Sequence, residues 1–168
     1  MTFYERLSAY NDFPIKVFIA ANLSGKKLVL CGGADGNDKY EAYLKGLANE
    51  NVIFTGPIFG ADKDAAFCHC YAFCIPSTLE GLPMSLLEAM SYGKIAIASD
   101  IPASHEALGE SGIYVAYEDD KAICDAMKEL AGNEAKYEWQ KEANKQRAQS
   151  TFSWENTTKK YLEYVKSI

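Results

Sequence analysis

Short apolar runs alternate with longer amphipathic stretches along this chain. The runs are Lys27-Leu28-Val29-Leu30-Cys31, Val52-Ile53-Phe54, Ala72-Phe73-Cys74-Ile75, Ile95-Ala96-Ile97-Ala98 and Ile113-Tyr114-Val115. Each is a few residues long and nearly continuous, the pattern of strands buried on both faces. Stretches with helical spacing lie near residues 13–22, 37–49, 62–70, 83–92 and 118–131. Strand and helix alternating in this way predict a three-layer α/β domain with a parallel sheet covered by helices. Met1-Thr2-Phe3-Tyr4 is expected to form a short central strand, which with right-handed crossovers gives the order 3-2-1-4-5-6. Beyond residue 131 the pattern is helical only. Thr151-Phe152-Ser153-Trp154-Glu155 starts a last helix, with Ser153 as cap and Trp154, Tyr161, Leu162, Tyr164 and Val165 as its apolar members. The tyrosines of this tail, Tyr137, Tyr161 and Tyr164, read as helix packing rather than a stacking platform for bases.

Size and charge narrow the classes. A chain of 168 residues is expected to be a single domain with a core of its own. The net charge of −6 argues against a nucleic-acid or anionic-membrane surface, while leaving room for a small anion held by local donors. No apolar run reaches a membrane-spanning length, and no secretory leader opens at Met1. The five cysteines, Cys31, Cys68, Cys70, Cys74 and Cys124, are odd in number and fit a reducing cytosol better than a disulfide framework. Cys68-His69-Cys70 with Cys74 lacks a second ligand pair at zinc spacing, so packing is the better reading and no metal is expected.

The strand ends carry the chemistry. Cys31 is followed by Gly32-Gly33-Ala34-Asp35-Gly36, Phe54 by Thr55-Gly56-Pro57, Ile75 by Pro76-Ser77-Thr78, and Ala98 by Ser99-Asp100. Small residues at the carboxyl ends of parallel strands let a ligand approach the backbone. In the third of these turns Glu80 precedes Gly81-Leu82-Pro83, and Pro83 suits the first turn of a helix. The amides of Gly81, Leu82, Met84 and Ser85 are then donors for an anion, helped by the helix dipole. Glu88 lies about one turn further on. An ionised carboxylate offers only acceptors, which suits a pair of sugar hydroxyls. Taken singly, Glu80 is an ordinary loop carboxylate and Glu88 a solvated helix residue. His69 and His105 are the two histidines; His105, following Ser104 at a helix start, reads as solvated.

Glu80-x7-Glu88, with Gly-Leu-Pro after the first glutamate and Glu-Ala-Met at the second, resembles the signature of the group 1 (family 4) glycosyltransferases. Asn51-Val52-Ile53-Phe54-Thr55-Gly56, Tyr92-Gly93-Lys94-Ile95-Ala96-Ile97-Ala98-Ser99-Asp100, Glu106 with Gly112-Ile113-Tyr114-Val115, and Phe152-Ser153-Trp154 are similar to further segments of that family. The resemblance implies half of a GT-B fold, which has two Rossmann-like domains facing a cleft. The chain would be the C-terminal, donor-binding domain over residues 1–168, without the N-terminal acceptor domain. It implies a nucleotide-diphosphate sugar as donor, a sugar or glycolipid as acceptor reached through the other domain, and hexosyl transfer with retention into a polysaccharide or glycoconjugate. Neither cofactor nor metal is implied. The expected setting is the cytoplasm at the inner face of the membrane, with membrane contact only through the acceptor domain. Residue by residue, the resemblance implies that Glu88 binds ribose hydroxyls and that Glu80 faces the donor sugar as the catalytic carboxylate. Gly81 and Leu82 would hold phosphate and sugar oxygens through their backbone, Pro83, Met84 and Ser85 would complete that helix start, and Gly56 and Pro57 would meet the base. A non-catalytic nucleotide-sugar-binding module with the same half-fold is the alternative reading. Half of a nucleotide-sugar epimerase is a weaker one, disfavoured by the spacing of the two glutamates.

One segment departs from the family. Its first strand ends Gly-Arg-x4-Lys-Gly, with arginine and lysine on the diphosphate. The matching stretch here is Glu5-Arg6-Leu7-Ser8-Ala9-Tyr10-Asn11-Asp12, which keeps Arg6 and loses the lysine. Transfer to an acceptor by this chain alone is not expected, because the orientation a two-domain cleft provides supplies ~7–11 kcal/mol of barrier reduction. Restoring the cation with Asn11→Lys and Asp12→Gly is expected to tighten nucleoside-diphosphate binding by roughly ten-fold or more, since a charged hydrogen bond contributes about 1.5–3 kcal/mol. Arg6→Ala weakens it, and a nucleoside without phosphates responds to neither change. Calorimetric titration checks this, and an unchanged affinity in the restored variant removes Asn11 from the phosphate pocket.

Overall fold

The computed structural model describes residues 26–32, 38–117 and 119–168. All five apolar runs are strands: β1 Leu28–Cys31, β2 Val52–Gly56, β3 Ala72–Ile75, β4 Ile95–Ser99 and β5 Ile113–Val115. The helices are α1 Asp38–Leu47, α2 Gly60–His69, α3 Met84–Ser91, α4 Pro102–Leu108, α5 Asp120–Gly132, α6 Glu134–Tyr137, α7 Trp139–Thr151 and α8 Trp154–Ser167. Every pairing is parallel. β1 pairs with β2, and β3, β4 and β5 pair in that order. These are the two wings of the expected strand order. The strand expected at residues 1–4, which would join them, lies outside the described residues, as do the helix expected near 13–22 and Arg6, Asn11 and Asp12.

β4 organises the larger wing. All five of its residues are buried. On one face Ala96 and Ala98 meet Ile75 of β3, Leu86, Leu87 and Met90 of α3, Ala107 and Leu108 of α4, and Ala148 of α7. On the other, Ile95 and Ile97 meet Val115 of β5 and Ile123 and Leu130 of α5. The alanines make room for closely laid helices, and the isoleucines fill the space before a single one. α3 ends in a glycine-dependent turn. Gly93 has φ 65°, its N–H donates to Met90 O at 2.8 Å, and the Lys94 N–H reaches back to Ala89 O at 3.1 Å. This left-handed turn satisfies the last carbonyls of the helix and starts β4 at once.

α7 locks these parts together. The fully buried Asn144 donates from Nδ2 to Lys94 O at 2.9 Å, and its Oδ1 lies 2.6 Å from Ser111 Oγ. Arg147 donates from Nε to Ala107 O and from Nη2 to Glu106 O, at 2.7 and 2.8 Å, covering the carbonyl end of α4.

The last helix departs from expectation in one respect. Ser153 caps α8 as expected, accepting from the Asn156 N–H at 3.2 Å. Its apolar members do not pack: Trp154 is 83% exposed and Tyr161 67%, and no residue of the helix is buried. An amphipathic stripe states which face is apolar, not that something covers it, and nothing among the described residues does. Tyr137 does pack, against the Ile123–Leu130 cluster. No helix among the described residues is long and apolar enough to cross a membrane.

Asn144→Ala is expected to leave Lys94 O and Ser111 Oγ without their buried partner and to cost about 1–3 kcal/mol. Urea unfolding of the variant measures this, and a loss within error shows that the clamp contributes nothing net.

Candidate functional site

In the three-stranded sheet the carboxyl ends of β3 and β4 and the helix starts that follow them form one edge. In the two-stranded sheet Gly32, after β1, donates its N–H to Gly56 O at 2.9 Å. Gly56 has φ 68°, a conformation that favours glycine, and lets the chain leave β2 sharply toward Pro57. β3 runs into Pro76 and Ser77, both buried. The loop then carries half-buried Glu80, with its Oε1 out of contact with solvent, and the exposed Gly81 and Leu82.

Pro83 sits at the cap of α3, one position ahead of the first turn expected for it. Its carbonyl accepts the N–H groups of Leu86 and Leu87 at 2.9 and 3.1 Å. Met84 and Ser85 are the first two helical residues, and their amides have no carbonyl behind them within the helix. The donors therefore lie where the sequence places them, on Met84 and Ser85, with Gly81 and Leu82 exposed just before them. No acidic side chain occupies the first turn of α3, so its positive end is not neutralised from within.

Glu88 lies on α3 one turn inward and is partly exposed. It is not simply solvated: Lys63, in the first turn of α2, donates from Nζ to Glu88 Oε1 at 2.5 Å. That hydrogen bond, with further attraction from Glu88 and Asp64, raises the Lys63 pKa despite a small burial cost. Sequence reasoning missed Lys63, because one lysine on an amphipathic helix looks like any other and its partner is 25 residues away. It also missed two buried hydroxyls. Thr78 Oγ1 and Ser99 Oγ, following β3 and closing β4, have no hydrogen-bond partner among the described residues. A buried hydroxyl without a partner is costly.

The remaining candidates stand apart. His105 Nε2 lies 2.6 Å from Asp100 Oδ1, and its ring stacks on Tyr114 at 3.9 Å, so this histidine is exposed, as expected, but held in place. In the Cys68-His69-Cys70 run, Cys70 and Cys74 are partly buried, as the packing reading has it, whereas Cys68 is exposed. Among the described residues no group of three or more His, Cys, Asp or Glu side chains is placed to hold a metal ion.

With this geometry in view, comparison with known proteins is informative. A family model described as "Glycosyl transferases group 1" matches residues 11–133. The O-antigen chain mannosyltransferase C of Escherichia coli is 28% identical over 89% of this chain and 42% of its own length. The D-inositol 3-phosphate glycosyltransferase of Corynebacterium urealyticum is 28% identical over 96% of this chain and 37% of its own. Among solved structures, Anabaena HepE in complex with UDP superposes with a TM-score of 0.83 at 19% identity, over 98% of this chain and 48% of that one. The sucrose-phosphate synthase of Thermosynechococcus elongatus gives 0.76 at 20% identity, over 99% and 44%. The chain thus spans less than half the length of each of these proteins.

Tyr114, beneath His105, gives this edge a pH dependence. Its hydroxyl donates to Gly109 O, and burial pushes its pKa from 10.0 up to about 12. The folded state holds this proton more tightly than the unfolded chain. The resulting stability is complete below about pH 10 and is lost as pH rises toward 12. Urea denaturation across that range should show stability falling, and Tyr114→Phe should flatten the fall. A slope unchanged in the variant assigns the loss to other groups.

Proposed function

The chain belongs to the group 1 glycosyltransferases, and from that premise we propose that it binds the nucleotide-diphosphate sugar donor of a sugar-transfer reaction. The observation that carries this reading is the start of α3, where unpartnered helix amides and two glutamates meet at the carboxyl edge of a parallel sheet. A diphosphate on the amides of Met84 and Ser85, reached also by the backbone of Gly81 and Leu82, needs no basic side chain. Glu88 accepts from the ribose hydroxyls. Glu80 faces the donor sugar, and the turn at Gly56 and Pro57 meets the base. That HepE, of the same fold, was crystallised with UDP and with UDP-glucose supports a nucleotide-sugar ligand.

Chemically, the reaction breaks the bond between the anomeric carbon and a phosphate oxygen. Negative charge grows on the departing nucleoside diphosphate as that bond lengthens. The amides and dipole of α3 are fixed in place before the reaction begins, so they stabilise this charge without reorganising. They also take the role that a metal ion plays elsewhere, and we propose that binding here is metal-independent. Retention of configuration, a sugar or glycolipid acceptor on a second domain, and a product that is a polysaccharide or glycoconjugate belong to the same proposal. Donor and acceptor together need the two-walled cleft of a longer chain, at the cytoplasmic face of a membrane.

Titration with UDP, GDP and ADP in the presence of EDTA checks the reading. At least one nucleotide is expected to bind, and Glu88→Ala is expected to weaken it by about ten-fold or more, through loss of charged hydrogen bonds to ribose. Absence of binding for all three rejects the donor-site assignment, and equal binding by the variant rejects the ribose role of Glu88.

A further inference from the structure

α2 is held by contacts from Lys63 to Cys68 against α3 and the turn that follows it. Near its start Lys63 meets Glu88 at 2.5 Å. One residue on, Asp64 Oδ1 accepts from the Tyr92 hydroxyl at 2.8 Å. Phe67, the one buried residue of α2, stacks on the Tyr92 ring at 5.6 Å. At the end, Cys68 O accepts from Lys94 Nζ at 2.8 Å. Phe67 and Tyr92 supply the apolar attachment, and the polar contacts fix its register. The ammonium of Lys63 therefore reaches Glu88 from an anchored helix rather than a wandering one.

Resting on the donor-site reading, we infer that Lys63 is a positioning residue that holds the Glu88 carboxylate in the orientation that accepts the two ribose hydroxyls of the nucleotide. The two oxygens of a carboxylate offer about four acceptor positions. Lys63 uses one, on Oε1, and leaves Oε2 and the other lone pair of Oε1 for hydroxyl donors. A glutamate alone on a helix surface samples several rotamers and must lose that freedom when ribose binds. Tethered by Lys63, it has lost part of it already, and preorganisation appears as affinity and as discrimination for the hydroxyls.

The test compares UDP and GDP with their 2′,3′-dideoxy counterparts by titration of the 168-residue chain, as wild type, Lys63→Met, Lys63→Arg and Glu88→Ala. Lys63→Met is expected to weaken the ribonucleotide by about two- to five-fold, the range of a partly exposed ion pair, and to leave the dideoxy compound unchanged. Lys63→Arg restores most of the discrimination. If Lys63→Met weakens both compounds equally, the lysine acts on the phosphates or on folding, and the positioning role is wrong. If discrimination is lost in Glu88→Ala but intact in Lys63→Met, the inference fails while the donor-site reading stands. If no nucleotide binds the wild type, both fail together, and if Glu88→Ala keeps full discrimination, the ribose role of Glu88 and with it this inference fail.

Discussion

β4 has no face turned to water, and that burial sets the position of everything around it. Its alanine face receives α3, α4 and α7, and its isoleucine face receives α5. A parallel strand buried on both sides brings every crossover helix back with the same hand, so each helix on this wing begins at the same edge of the sheet. α3 shows the consequence. Leu86, Leu87, Ala89 and Met90 are buried, the Gly93 turn closes its far end, and Asn144 braces the join to β4. A helix seated along its length aims its first amides at one fixed point.

In the proposed donor site, this arrangement lets an acidic chain meet an anion. The net charge of −6 is spread over the surface, where water and salt screen it. On the proposed reading the amides of Met84 and Ser85 act at contact distance, backed by a helix end with about half a positive charge. Among the described residues, the lysine nearest this argument, Lys63, is engaged with Glu88. The proposed site thus separates its work, with backbone donors for the phosphates and carboxylates for the hydroxyls, and in that proposal Lys63 tunes a carboxylate rather than meeting the anion.

The five strands were legible because continuous short apolar runs have few other solutions, and α1, α2, α3 and α5 followed within a few residues, whereas the short α4 had no helical stretch assigned to it. The site was legible in part. Glu80, Gly81, Leu82, Pro83 and Glu88 lie within one short stretch, so local sequence could group them, and a family resemblance could suggest roles for them. Thr78 and Ser99 could be seen at strand ends, but nothing in the sequence says that a hydroxyl is buried without a partner. The apolar face of α8 was read correctly as a stripe and wrongly as packed, because periodicity records a helix's own geometry and not its neighbours.

By itself, then, the sequence determined the class of fold, the strands and their direction, and the turn at which α3 begins. All of these depend on hydrophobic period, glycine and proline over a few residues. Only the tertiary structure decided that α2 lies beside α3 with Lys63 on Glu88, that Asn144 joins α7 to the start of β4, and that His105 is stacked and held. Each of those contacts joins residues separated by other elements of the chain, or orients a ring that local pattern leaves free. Charge complementarity and close packing settle such contacts only once the backbone has brought the partners within a few ångströms.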